Sequence, residues 1–239
     1  MPAQEIKAME LEKFLLVFLR VAILIPLLPV FGGRMVPAQF KVGMILAVAY
    51  FLTPLVEVQM EGPIYLRIAR EVLLGGAIGF SVTVVFTSVI MAAQWISFMM
   101  GLTMASAFDP TIGGIASPVA QMMNFMAIVA FFTFDLHHQV ILAIAQTFDI
   151  LPSNASLAAG VVEMVRILFI TAFKLAMPII LIEIMTNLIL GFVAKAMPQA
   201  NLLAVGFPLN LGLGFLGLLL FLPFIIQVIG HLDFIPNWR

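Results

Sequence analysis

The sequence predicts an all-α membrane protein, and three observations predict that fold class. Apolar side chains make up 63% of the 239 residues. The chain has 11 Lys and Arg and 12 Asp and Glu residues, whereas a soluble domain of this length carries roughly 60 charged residues. No segment alternates strictly between apolar and polar residues, as the strands of a membrane barrel do. We therefore expect a polytopic bundle of helices that forms one domain over residues 1–239.

Charge and cysteine content exclude several classes of function. The net charge of −1 leaves no basic surface for a polyanion, so we expect no nucleic-acid partner. Without cysteine the chain has no disulfide, no thiolate metal site and no Cys nucleophile. The apolar composition predicts that membrane lipid surrounds the protein.

The first third of the chain contains two apolar runs and one charged stretch. Phe14–Phe31 is apolar but is interrupted by Arg20 and two prolines. Val42–Val56 has 15 residues, fewer than the roughly 20 that a helix needs to cross a bilayer. Glu57–Glu71 is the most charged stretch of the chain, and we expect it to be solvated.

Two longer runs are too long for one helix in one bilayer. Val72–Phe108 and Ala196–Leu232 each contain 37 residues without Asp, Glu, Lys or Arg. We predict that the first helix breaks near Gln94 and the second at residues 206–208, where a glycine and a proline lie close together. The predicted spans are Val72–Ala93 and Leu209–Ile229.

Three further runs, Pro118–Phe134, His138–Leu151 and Val165–Ala194, bring the expected number of helices to about six, with five to seven compatible with the pattern. The last run carries Arg166, Lys174 and Glu183. Each charge inside a bilayer costs about 2.5–3.5 kcal/mol on insertion scales. Structural ion pairs and a path for substrate or protons explain these charges equally well.

Glycine spacing predicts close helix contacts. Gly212, Gly214 and Gly217 form a G-x-G-x-x-G sequence, but no strand precedes them and the surrounding run is apolar, so a dinucleotide site is not expected. Gly75-x-x-x-Gly79 has the spacing that lets two helix backbones approach closely.

The sequence predicts no metal site, no cofactor and no enzymatic activity. His137 and His138 are adjacent, which on a helix turns them about 100° apart, and no His-x-x-x-His or Glu-x-x-His pair accompanies them. An interfacial pair near Asp135 is the simpler interpretation. The acids lack the spacing of an acid–base pair, and no nucleophile motif is present.

An irregular segment between two apolar runs is the strongest functional candidate. Phe108–Pro118 contains two prolines and two glycines and no charge after Asp109. Irregular backbone at membrane depth is tolerated where it is buried in protein or lines a cavity. Flexible thioethers on both sides of it suit a compliant seal, although ordinary helix packing also uses them; these are Met99, Met100, Met104, Met122 and Met123.

A set of residues, in order along the chain, resembles the FliR family of flagellar biosynthetic proteins. This family is also known as the FliR/SctT export-gate proteins of type III secretion. The set runs from about residue 14 to residue 230. Its members are Arg20, Pro29, Pro37, Lys41, Pro54, Gly75, Gly79, Phe80, Gly101, Phe108, Asp109, Pro110, Pro152, Met197, Pro198, Gln199, Gly206, Phe207, Pro208 and Leu209.

The resemblance implies helical hairpins packed into a hetero-oligomeric export gate in the bacterial inner membrane, at the flagellar basal body. FliP-like and FliQ-like subunits would complete the pore, a FlhB-like protein would dock on it, and unfolded flagellar proteins would pass through it. The resemblance also implies a loop that plugs the closed channel. By position, its residues are Phe108, Asp109, Pro110, Ile112, Gly113, Gly114 and Ile115.

Two departures and two alternatives accompany this resemblance. The family tends to have glycine before the histidine pair, where this chain has Asp135-Leu136, and the chain ends soon after its last apolar run. An injectisome export-gate subunit is therefore an alternative. The other alternative is a secondary transporter or channel for a small solute, but its expected midplane charges lie only in the second half of this chain.

Overall fold

The computed structural model describes residues 3–32, 36–58, 61–102, 117–149, 154–197 and 202–231. All regular secondary structure in these ranges is helical, which confirms the all-α prediction. In chain order the helices are α1 Ala3–Leu27, α2 Pro29–Gly32, α3 Ala38–Leu52, α4 Ile64–Met99, α5 Pro118–Thr133, α6 Leu136–Asp149, α7 Asn154–Ala196 and α8 Leu202–Gly230.

Three of these helices are long and apolar enough to cross a membrane: α4, the Val162–Ala196 part of α7 and the Ala204–Gly230 part of α8. A fourth span exists if α5 and α6 are taken together as one interrupted span. The 15 residues of α3 are apolar but short. The prediction of a polytopic membrane protein is therefore confirmed.

The chain contains two compact units. The first unit comprises Met1–Val85, Asp135–Val165 and Asp233–Arg239, and the second comprises Phe86–Phe134 and Arg166–Leu232. Helices α4 and α7 each contribute residues to both units. The organisation as one domain over residues 1–239 stays a prediction.

In the first unit, α1 packs against α3. Val17, Val21 and Leu24 are at most 1% exposed, and their spacing of four and three residues places them on one face of α1. On α3 the same spacing of four and three residues buries Ile45, Ala49 and Leu52. The other face of α3 also carries apolar side chains, so apolar periodicity alone does not select the faces that meet.

In the second unit, α5 packs against α8. The buried face of α5 includes Ala120, Met123, Ala127 and Ala130, again at helical spacing. These residues are mostly small, so a neighbouring helix approaches closely. The ring of Phe131 lies 5.7 Å from that of Phe86 between their centroids, which joins α5 to the second half of α4.

Both predicted helix breaks were wrong. Gln94 is exposed on a continuous α4, so its amide lies on the outer surface and does not interrupt the helix. Pro208 lies inside α8, which runs unbroken from Leu202 to Gly230. Proline removes one backbone hydrogen bond, a loss that packed membrane helices tolerate. Seven helices longer than one turn are described, the upper end of the predicted range.

The prediction that all of Glu57–Glu71 is solvated was wrong at its last residue. Glu71 is 0% exposed, whereas Glu57 and Glu61 are exposed as expected. Glu71 lies in the second turn of α4 rather than in the loop, and the reason for its burial is its partner, Arg20.

Candidate functional site

A buried cluster around Arg20 joins three helices of the first unit. The Arg20 guanidinium donates from Nε to Glu71 Oε2 over 2.6 Å and from Nη1 to Thr147 Oγ1 over 3.0 Å. Its central carbon lies 3.5 Å from the ring centroid of Phe148. These contacts tie α1 to α4 and α6, and they satisfy an Arg that is 1% exposed and a Glu that is 0% exposed.

Gly75 and Gly79 let α4 lie directly on α1. A Cβ at Gly75 would stand 2.6 Å from the Arg20 carbonyl oxygen, and one at Gly79 would stand 2.8 Å from the Leu27 side chain. Thr83, one turn further along, donates from Oγ1 to the Leu27 carbonyl oxygen over 2.7 Å. The predicted packing role of the Gly75-x-x-x-Gly79 spacing is confirmed.

Pro37 and Lys41 lie at the start of α3. Pro37 immediately precedes the helix, and its fixed backbone suits the residue before a first turn. Lys41 donates from Nζ to the Gly32 carbonyl oxygen over 3.4 Å. Both residues therefore shape the connection from α2 to α3.

The predicted plug loop lies outside the described residues. This holds for Phe108, Asp109, Pro110, Ile112, Gly113, Gly114 and Ile115, and also for Met104, Pro198 and Gln199. Its two flanks, at residues 97–102 and from residue 117 onwards, are described in the second unit.

The two flanks of residues 103–116 meet each other. Ser97 Oγ on α4 and Ser117 Oγ, immediately before α5, are 2.5 Å apart and hydrogen bonded. Ser117 Oγ also accepts from the Val119 N–H over 3.3 Å, which caps α5. The 14 residues between the flanks thus start and finish at a common base.

Gly101 turns the chain out of α4 at this base. Its φ of +76° lies in the left-handed region, which favours glycine. A Cβ at Gly101 would lie 3.6 Å from the Phe207 ring, so two residues of the family-like set are neighbours in space. Gly206, beside Phe207, approaches the Leu190 side chain of α7.

The four described methionines of the predicted seal fall into two pairs. Met100 and Met123 are 0% exposed and pack inside the second unit. Met122 is 38% exposed and Met99 is half-buried. Only the second pair therefore offers thioether surface outside the chain's own core.

Glu183 of α7 is buried without a hydrogen-bond partner among the described residues. It is 0% exposed, and neither carboxylate oxygen is hydrogen bonded. A Cβ at Gly214 of α8 would lie 2.6 Å from Glu183 Oε1 and 2.6 Å from Met100 Cγ. Gly214 therefore makes the room that the carboxylate occupies, next to the base of the loop.

The structure does not bring Arg166, Lys174 and Glu183 together. Arg166 and Lys174 are exposed, and nine helical residues separate Lys174 from Glu183, which is about 13 Å along the axis. Gly217 contacts Ile182 and supports the predicted packing role, whereas Gly212 has no atom within 4 Å of an added Cβ. The packing interpretation thus holds for two of the three glycines of the G-x-G-x-x-G sequence.

Several residues of the Arg20 cluster and of the loop base were not predicted from the sequence. Glu71, Thr147, Phe148, Ser97 and Ser117 have no motif that marks them, and the Asn187–Asn210 hydrogen bond of 3.0 Å between α7 and α8 was also missed. Glu71 had one available signal. Arg20, alone in an apolar run, needs a buried anion, and Glu71 is the acid immediately before the uncharged run Val72–Phe108.

Comparison with known proteins shows relatives along most of the chain. The FliR flagellar biosynthetic protein of Pectobacterium carotovorum is 32% identical over 231 residues, which cover 92% of this chain and 88% of that protein. Those of Escherichia coli K12 and Bacillus subtilis 168 are 30% and 29% identical; each alignment covers 90% of this chain, and 85% and 88% of the relative.

The family described as bacterial export proteins, family 1, matches residues 11–233. This range includes all eight helices except the first residues of α1, the buried charged residues Arg20, Glu71 and Glu183, and the segment between Ser97 and Ser117. The chain therefore belongs to the bacterial export proteins, family 1.

Proposed function

We propose that this chain is a component of the flagellar type III protein export apparatus. The observation that carries the proposal is the match of the export family to residues 11–233, together with relatives named flagellar biosynthetic protein FliR at up to 32% identity. The chain acts there as a structural subunit in the bacterial inner membrane, at the flagellar basal body, and catalyses no covalent chemistry.

In this proposal the chain forms the export pore with FliP-like and FliQ-like subunits, and a FlhB-like protein docks on the assembly. The exposed apolar surface of the helices supports it. We compare the most apolar 18-residue stretch of each helix. Within the chain, 61% of this stretch is buried in α4, 33% in α7 and 28% in α8. The surfaces of α7 and α8 therefore have room for both lipid and neighbouring subunits.

The plug loop, Phe108–Pro118, closes the pore in the resting state, with Phe108 and Ile112 making the apolar contacts of the plug. The hydrogen bond between Ser97 and Ser117, which brings the end of α4 beside the start of α5, supports this role. Unfolded flagellar proteins displace the plug loop as they pass, and Met99 and Met122 contact them.

Deleting Thr111–Ile115 tests the plug. We expect the assembled gate to leak ions or small solutes, measured as conductance of reconstituted vesicles. A second variant replaces the same five residues with Gly and Ser, and it keeps the length of the loop but removes the side chains of Ile112 and Ile115. It should leak as well. A tight membrane with both variants would refute the plug, while leaving the export assignment intact.

Co-expression with the neighbouring genes tests the partners. A gate subunit should co-purify in a defined hetero-oligomer with FliP-like and FliQ-like chains. A secondary transporter, the alternative from another class, would be stable and active alone. An injectisome subunit would co-purify with injectisome counterparts instead, and its loss would abolish virulence-type secretion without affecting motility.

A further inference from the structure

We propose that Asp135, His137 and His138 form a binding site for a borderline divalent transition-metal ion, with Zn²⁺ as its representative. Each of the three residues offers one ligand atom, and these atoms all lie within 4.8 Å of one another. The cluster belongs to the first unit and is separate from the Arg20 cluster and from the loop base. The site goes beyond the export function.

The local backbone explains how four consecutive residues present three ligands. Asp135 adopts a φ of +54°, in the left-handed region that Asp tolerates better than most residues. The His138 N–H donates to the Asp135 carbonyl oxygen over 2.9 Å, which folds the corner before α6. Leu136 is 1% exposed and anchors this corner in the core.

The side chains converge where the sequence spacing predicted divergence. The two histidine rings lie 4.2 Å apart between centroids and are tilted by 35°, so the expected 100° separation on a helix does not keep them apart. His138 Nδ1 is 3.4 Å from Asp135 Oδ1. Two ligands bound to Zn²⁺ at about 2.0–2.1 Å in tetrahedral geometry are separated by roughly this distance.

The donor set selects the class of ion. Two imidazoles and one carboxylate suit Zn²⁺, Ni²⁺, Co²⁺ and Cu²⁺, whereas Mg²⁺ and Ca²⁺ prefer a full set of oxygen ligands. Three protein ligands leave the fourth position to water or to another ligand, as in open rather than closed zinc sites. Asp135 and His138 are mostly exposed, with side-chain exposures of 72% and 65%, so the rest of the described chain does not cover these two ligands.

Titration of the full chain with ZnCl₂ tests the site. The protein is purified in detergent with a tag that lacks histidine, stripped with a chelator and titrated by calorimetry, and Co²⁺ absorption reports the coordination. We expect one equivalent of Zn²⁺ per chain with micromolar affinity. His138→Ala, His137→Ala and Asp135→Ala should each weaken binding at least tenfold, with unchanged helix content by circular dichroism.

His231→Ala is the matched control, because His231 is the third histidine of the chain and is exposed at the end of α8. It should bind Zn²⁺ like the unmodified protein. Absence of saturable binding, binding that survives all three cluster substitutions, or binding that His231→Ala abolishes would overturn the proposal.

Discussion

Arg20 and Glu183 are both buried charged side chains, but the first unit surrounds Arg20 with partners, whereas Glu183 in the second unit has no hydrogen-bond partner among the described residues. Arg20 contacts a carboxylate, a hydroxyl and an aromatic ring. Glu183 packs against a glycine and a methionine. The comparison separates a buried charge that holds helices together from one that no described residue of this chain compensates with a hydrogen bond.

Physical chemistry gives the two arrangements different consequences. An ion pair and its hydrogen bonds offset the free-energy cost of desolvating the two buried charges. Removing one partner leaves the other charge buried, with its desolvation cost uncompensated. A buried carboxylate without a hydrogen-bond partner has no polar contact that offsets its desolvation cost. Neutralising it therefore removes no favourable polar contact. Ionisable groups of this second kind inside membrane helices commonly belong to functional sites, and Glu183 lies beside the base of the proposed plug.

The largest effect is expected from breaking the Arg20 cluster. Arg20→Met leaves Glu71 buried without its main partner and should lower the free energy of unfolding by about 3–5 kcal/mol. Thermal unfolding in detergent measures it. The matched control is Arg67→Met, which removes the partly buried pair with Glu12, whose side-chain exposures are 14% for Arg67 and 32% for Glu12, and it should cost less than Arg20→Met. Equal losses in the two variants would contradict a special role for Arg20.

The double variant Arg20→Met with Glu71→Leu sharpens this prediction. Because it removes both charges together, it should recover much of the loss of Arg20→Met alone. The readout is again the thermal unfolding transition. A double variant as unstable as the single one would show that Thr147 and Phe148 depend on the guanidinium itself.

A smaller effect is expected from filling the glycine contacts of the two units. Gly75→Ala places a methyl group 2.6 Å from the Arg20 backbone oxygen, which cannot rotate away, and should cost about 1–3 kcal/mol. Gly214→Ala meets the flexible Met100 and Glu183 side chains and should cost less. Gly76→Ala and Gly212→Ala are the controls, since no atom of the described residues lies within 4 Å of an added Cβ, and they should stabilise slightly.

The hydrogen bond at the loop base should contribute about 1 kcal/mol, the net value of an ordinary intramolecular hydrogen bond. Ser97→Ala and Ser117→Ala each remove it, and the double variant should cost less than the sum of the two. A double-mutant cycle from thermal unfolding measures the coupling. Strictly additive losses would show that the two hydroxyls do not depend on each other.

The smallest effect on stability is expected from Glu183→Gln. A neutral amide of nearly the same shape is no more costly to bury than an unpartnered carboxylate, so the melting temperature should stay the same or rise. Glu57→Gln, at an exposed position, is the control and should change the free energy of unfolding by less than about 0.5 kcal/mol. A marked destabilisation by Glu183→Gln would reveal a cationic partner, on another subunit or outside the described residues.

Much of the fold followed from local pattern, and the errors followed from reading single residues as boundaries. The apolar runs predicted where helices lie, and the Gly75-x-x-x-Gly79 spacing predicted a close contact. Gln94 and Pro208 were misread, because a polar side chain on an outer face and a proline in a packed helix do not end the helix. The plug prediction rested on the family resemblance and on two prolines and two glycines.

The sequence by itself determined that this chain is helical, apolar and built for a membrane, because hydropathy and helical periodicity act over a few neighbouring residues. Only the tertiary structure decided which charges have partners. Arg20 and Glu71 are 51 residues apart in the chain, and Arg20 and Thr147 are 127 apart. Burial and pairing depend on which helix faces meet. No local pattern around Glu183, whose carboxylate has no hydrogen-bond partner in the described part of the chain, distinguishes it from the paired Glu71.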